Sequence, residues 1–211
     1  MPGFDSLIGK SFSKIISTHI GQTTLSKVEQ RLFEKYGINL KNTPEDFQKL
    51  DNVLREFFGD STIGIERKVL KQIITIEQTR QDKKEWIVIE DKNLIKSILG
   101  ALGDDDKKSI MNSIIGTPKI ISDILDDCKI PQTSGYRKIN SLIEDGFLVV
   151  DGHNTTHDGK RVNKYTSIFE NIKIDIEKNL IVLRVQLTEK SKDSSAIIQL
   201  LRSKEQLVTV E

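Results

Sequence analysis

The chain has one cysteine, Cys128, three histidines and four prolines among its 211 residues. One thiol cannot close an internal disulfide, and it excludes a zinc site built on paired cysteines. A chain without disulfides fits a reducing compartment. No apolar run approaches the roughly 20 residues that span a bilayer. The opening "MPGFDSLIGKSFSK" has no basic region followed by an apolar block, so no secretory signal is visible. The expectation is a soluble cytoplasmic protein with no membrane partner. An excess of one charge is missing too: 32 Lys and Arg face 31 Asp and Glu, a net charge of +1. Any nucleic-acid partner must therefore be met by local clusters of cations.

Catalytic signatures are also missing. There is no GxxxxGKS/T phosphate loop, no GxGxxG after a strand, no HExxH and no GxSxG. "GDSTIG", Gly59 to Gly64, reads as a loop between helices, because a nucleophile elbow needs a strand before it. His19 falls on or beside an apolar helical face, where a packed, hydrogen-bonded imidazole is expected rather than a metal ligand. His153 and His157 are four residues apart, with Asp151 and Asp158 close by. Such a pair would bind metal on a helix, but these sit in a loop pattern. Cys128 stands alone before a turn, where a small buried residue is expected. The expectation is no enzyme, no catalytic residue, no metal and no cofactor.

What is present is helical spacing followed by alternation. The chain is 36% hydrophobic and 30% charged, enough for packed cores under a strongly solvated surface. Its length suits one large or two ordinary domains. Phe4, Leu7, Ile8, Phe12, Ile15, Ile16 and Ile20 recur at steps of three and four, as on one helix face. A second helix is expected over about Leu25 to Tyr36, ended by Gly37. In "NTPEDFQKLDNVLREFFGD", Thr43 suits an N-cap and Pro44 the first turn, while Glu45 and Asp46 complement the positive helix end. Phe47, Leu50, Val53, Leu54, Phe57 and Phe58 form the stripe, and Gly59 stops it. A fourth helix is expected over Gly64 to Gln78. Short connections favour a four-helix unit.

"QTRQDKKEWIVIEDKN" breaks the pattern and reads as a linker with a short extended or helical piece near Trp86 to Ile89. From Asn93 a further helical stretch runs through "NLIKSILGALGDDDKKSIMNSIIG". Thr117 and Pro118 then look like the start of another helix, with Ile120, Ile121, Ile124 and Leu125 inward. "FLVVDG", "VNKYTSIF", "IKIDIEK" and "LIVLRVQL" alternate, and a tight hairpin is expected at Glu177-Lys178-Asn179.

The stretch "KIPQTSGYRKINSLIEDGFLVV", Lys129 to Val150, carries the function. Two helices joined by a few residues lead at once into a strand, a polar loop "DGHNTTHDGKRVN" and a second strand. That order is a winged helix-turn-helix, whose second helix can enter the DNA major groove. A recognition helix must start polar because its first turn faces base edges and phosphates. Gln132, Thr133 and Ser134 supply hydrogen bonds there, beside free backbone N–H groups. Tyr136 follows. Arg137 has the fork for guanine or phosphate, and Lys138 suits phosphate alone. In the wing, Lys160, Arg161 and Lys164 surround a tip near Asp158-Gly159, with His153, Thr155, Thr156 and His157 nearby. Asp123, Asp126 and Asp127 should face away from DNA.

These residues resemble a known family. "ILGALGDDDKKSIMNSII" followed by "KIISDILDDCKIPQTSGYRKINSLIEDGFLVV" is similar to the core of ArsR-type winged-helix regulators. There an "ALGD" stretch opens the first helix and Q-S/T-S/T-x-x-R begins the recognition helix, matched here by Ala101 to Asp104, Gln132, Thr133, Ser134 and Arg137. The likeness covers roughly residues 98–167. Gly135 and Tyr136 depart from the commoner valine and serine, and the metal-sensing cysteines of many members are absent. Residues 5–78 resemble an all-helical output-type domain of ammonia-oxidising archaea, which implies an archaeal regulator.

The expected fold is mainly α with a small β component. A helical output or regulatory domain (1–80) precedes a linker (81–92), a winged helix-turn-helix domain (93–190) and a tail with helical spacing (191–211). The expected function is sequence-specific transcriptional regulation on double-stranded DNA. The alternative is a non-catalytic protein-protein interaction module. One module buries on the order of 600–1,000 Å² on DNA, so a homodimer reading two half-sites is expected. Its interface would be the N-terminal helices, Asn93 to Leu102, or the stripe Ile197, Ile198, Leu200 and Leu201. A regulatory protein or ligand is the candidate partner of the N-terminal unit.

Overall fold

The stripe near the N-terminus forms α1, Phe4–Ile20, with Phe4, Leu7, Ile8, Phe12 and Ile16 buried. The computed structural model describes residues 3–40, 47–78, 85–155 and 159–203. Helix α2, Gln22–Tyr36, buries Leu25, Val28 and Leu32, and Gly37 ends it in the left-handed region. Helix α3, Phe47–Phe58, buries Phe47, Leu50, Val53 and Leu54. The rings of Phe12 and Phe47 meet edge-on with centroids 5.3 Å apart. Phe57 stays exposed at the far end of the stripe. The expected cap at Thr43, Pro44, Glu45 and Asp46 lies outside the described residues.

Helix α4, Thr62–Leu70, is shorter than its spacing suggested. The expected continuation to Gln78 is instead a turn and strand β1, Ile74–Gln78. Ile73, Ile74, Thr75 and Ile76 are all β-branched, stiff at χ1 and better suited to a pleated surface. Strand β1 pairs with β2, Glu85–Ile89, and β2 pairs with β6, Leu180–Leu187. Strand β5, Phe169–Glu177, completes an antiparallel sheet in the order β1-β2-β6-β5. The register puts Ile74, Ile76, Ile87, Ile89, Leu183, Val185, Ile172 and Ile174 on one face. The interval expected as a linker thus holds an inner strand, bonded on both sides, because Ile87 and Ile89 belong to the core. The sheet crosses the boundary expected between the two domains, and the buried apolar residues described, Val88 apart, form one cluster.

The hairpin between β5 and β6 turns through Lys178 and Asn179, both at positive φ (47° and 67°). Positive φ at both central residues is the two-residue turn that matches strand twist. Helix α5, Lys92–Gly103, is capped by Asp91, which accepts the Leu94 N–H at 2.8 Å. Asp104 then leaves helical geometry and caps α6, Asp105–Ser113, accepting from Lys107 N–H at 3.1 Å. The helical stretch from Asn93 is therefore two helices. In the tail, α9 (Glu189–Ser194) and α10 (Ala196–Arg202) form, and Ile197 and Ile198 are fully buried. Asp5 of α1 accepts the Ala196 N–H at 2.9 Å and the Ser195 hydroxyl. Of the stripe offered as one of three dimer faces, Ile197 and Ile198 are thus spent inside the chain, while Leu200 and Leu201 are half-buried.

The whole is a mixed architecture with a helical N-terminal part and a small antiparallel sheet. Among the described residues, no helix is long and apolar enough to cross a membrane.

Candidate nucleic-acid interface

The segment from Lys119 to Ser167 contains α7 (Ile121–Cys128), α8 (Gln132–Glu144), β3 (Leu148–Thr155) and β4 (Arg161–Ser167). Helix α7 does not start at Thr117 and Pro118 as expected. Lys119 and Tyr165 exchange two backbone hydrogen bonds, at 3.1 and 2.8 Å, which hold Lys119 extended beside β4. The bridge takes up the Lys119 carbonyl, which in a helix starting at Pro118 would accept from the N–H four residues on.

The turn between α7 and α8 is three residues long. Lys129 takes the left-handed conformation (φ 55°), and the N–H of Ile130 returns to the Leu125 carbonyl at 3.0 Å. Ile130 is buried, which anchors the turn. Pro131 then precedes the first turn of α8, and its carbonyl accepts from the Ser134 hydroxyl at 3.1 Å. Gly135, Ile139 and Leu142 are the buried side of α8. A Cβ on Gly135 would lie 2.3 Å from Cδ2 of Leu125, so the two helices touch backbone to side chain.

The opposite side of α8 carries Gln132, Thr133, Tyr136, Arg137 and Asn140, all exposed. Tyr136 is 44% exposed, high for so apolar a ring. Ser134 is half-buried at the margin. Lys138 departs from its expected place. Its ammonium lies 2.7 and 2.8 Å from the two oxygens of Asp104 and 3.0 Å from Asp106. Those hydrogen bonds raise the Lys138 pKa above its usual value, and the same ammonium lowers that of Asp104, helped by the Lys107 N–H. Lys107 Nζ donates to Ser141 at 2.9 Å, so a second polar tie joins α6 to α8.

Helix α8 passes directly into β3. Gly146, at φ 86°, sits under the first turn of α1, where a Cβ would meet the Gly3 carbonyl at 2.7 Å. Strands β3 and β4 form a two-stranded ribbon whose outer end is exposed. Arg161 lies opposite Thr155, and Asn163 opposite His153. Lys164 is half-buried and, by alternation, on the other face from Arg161. Lys160, Arg161 and Lys164, expected together in a wing, are thus not gathered on one side. Lys160 is exposed beside Gly159. Thr156, His157 and Asp158 lie outside the described residues. His19 is exposed, with its ring 2.8 Å from the Gln72 amide, and Cys128 is half-buried. Among the described residues, no group of three or more His, Cys, Asp and Glu could hold a metal ion.

Sequence reasoning missed Asp104 and Asp106 as partners of Lys138. The only local signal was the acidic pattern of a helix N-terminus, and the contact itself spans 34 residues. No protein-family model matches the chain, and neither a curated protein nor a solved structure is similar to it.

Proposed function

We propose that residues 93–190 are a winged helix-turn-helix that binds double-stranded DNA, and that the protein is an ArsR-like transcriptional regulator. One observation carries this reading: the start of α8 presents Gln132, Thr133, Tyr136 and Arg137 outward while Gly135, Ile139 and Leu142 hold the helix to the body. Arg137 makes the bidentate contact to a guanine edge or a phosphate, and Gln132 and Thr133 bond neighbouring base edges or backbone oxygens. Ser134 donates its hydroxyl back to the Pro131 carbonyl within the first turn. Lys138 acts through α6, fixing the angle of α8 by its bonds to Asp104 and Asp106. Lys160 and Arg161 follow the flanking backbone from the ribbon, whereas Lys164, on the other face, does not reach it. The N-terminal helices receive a regulatory protein or ligand.

The test is fluorescence anisotropy of the full chain on duplex DNA over a range of salt. Phosphate neutralisation releases counterions, so affinity should fall steeply as salt rises. No binding to any duplex would transfer the exposed α8 face to a protein partner instead.

A further inference from the structure

Strand β5 is an edge. Among the described residues it pairs with β6 alone, leaving its outer backbone groups without a strand partner. The apolar face of the sheet also runs on past the core. Ile174, Ile176 and Ile181 are 43%, 74% and 41% exposed, although the residues paired nearer the core, Leu183 and Val185, are fully buried. Bare apolar edges of this kind invite another strand, and natural proteins protect them. Beside the edge lies a groove of 480 Å³, lined by Leu102, Met111, Ile115, Ile172 and Ile174.

We propose that this edge is a self-association surface, where β5 pairs antiparallel with β5 of a second copy about a two-fold axis at Ile174. The sequence of the strand is self-complementary about that residue. In the stretch Ile172-Lys173-Ile174-Asp175-Ile176, the axis sets each Lys173 opposite the Asp175 of the other copy, and each Ile172 opposite Ile176. Directly opposed residues share a face, so the isoleucines continue the apolar side and the charges the polar side. There Arg184 already bridges Glu77 and Asp175, at 3.4 and 2.8 Å, and the new pairs extend that alternating row.

Other registers are worse. Centring on Lys173 opposes two lysines, and centring on Asp175 opposes two aspartates. A slip by one residue sets charges against isoleucines. In the favoured register, the exposed Ile176 of each copy lands beside Ile172, at the mouth of the groove. This surface is independent of the DNA-binding reading.

The experiment is sedimentation velocity on the full chain over a concentration series. Wild type should dimerise. Lys173→Asp alone sets Asp against Asp, and Asp175→Lys alone sets Lys against Lys, so each should weaken self-association about tenfold or more. An equimolar mixture of the two variants should restore the dimer, because every opposed pair is then attractive. Ile176→Asp, at a position too exposed to disturb folding, should also abolish it. A wild-type protein that stays monomeric at its highest soluble concentration overturns the proposal. So does a dimer that survives Ile176→Asp, or one indifferent to both charge reversals.

Discussion

Lys138 of α8 and Asp104 at the start of α6 are joined at both carboxylate oxygens, 2.7 and 2.8 Å from the ammonium. Asp104 also caps its own helix, so one side chain ties the helix start to the candidate recognition helix. The pair is partly exposed and screened by solvent, so Lys138→Ala should lower stability only slightly. Thermal melts would measure it. Because the Asp104 pKa is lowered in the folded state, its contribution is present above the ordinary carboxyl range and is lost as pH falls through the lowered value. In the variant that acid sensitivity should shrink. The salt slope of DNA binding should not change.

Arg137 behaves oppositely. It is exposed on the outer side of α8. Arg137→Ala should weaken specific binding by about 1–3 kcal/mol and relax selectivity at one base pair, with folding intact. Arg161→Ala, at the ribbon, should reduce the salt slope by about one unit without altering selectivity. Anisotropy titrations on cognate and single-mismatch duplexes separate the two. Equal affinity of Arg137→Ala for all duplexes tested, at wild-type strength, would remove α8 from the interface.

Gly135 is a packing position. An added methyl would lie 2.3 Å from Leu125 Cδ2 and 3.1 Å from its Cγ, and Leu125 is 1% exposed, with little room to turn away. Gly135→Ala gains about 1 kcal/mol of helix propensity, but overpacking costs about 1–3 kcal/mol. Net destabilisation in urea unfolding is expected, larger for Gly135→Val. Trimming Leu125 to Ala in the same chain should make the two losses less than additive.

Glu66 on α4 is fully buried, and neither carboxyl oxygen has a hydrogen-bond partner among the described residues. Burial, then the charge of Asp51, pushes its pKa from 4.5 to about 8, against the opposing pull of Arg55 and Arg67. The folded value lies above the unfolded one, so between these two pH values the native state holds a proton that the unfolded chain has released. Stability should therefore fall as pH rises through that window and then level off. Glu66→Gln should flatten the dependence and exceed wild type at the alkaline end. Denaturant midpoints across the pH range would show it; a parallel wild-type and variant profile would contradict it.

Several features were legible because they are local. The stripes of α1, α2 and α3 repeat within one or two turns, and Lys178-Asn179 is a turn signal between two alternating runs. The polar start of α8 stands out against Ile139 and Leu142. The strand at Ile74–Gln78 was not legible, because Val69, Leu70 and Ile73 also fit a helical step. Nor was the inner position of β2, since Ile87 pairs with Val185, nearly a hundred residues away. Lys119 shows the same limit: its threonine-proline neighbours suggest a helix start, and only Tyr165 holds it extended.

By itself, then, the sequence determined which segments are amphipathic, where α2 and α3 end, and that a cationic, hydrogen-bonding helix start follows Pro131. These depend on backbone preference and on apolar spacing, both carried by neighbouring residues. The tertiary structure alone decided that Lys138 turns inward to Asp104, that Ile197 and Ile198 are buried, and that β5 is left as an edge. Each of those depends on which distant surface arrives alongside. Burial and ion pairing act through space, and a contact between residues far apart in the chain leaves little trace in either one's local pattern.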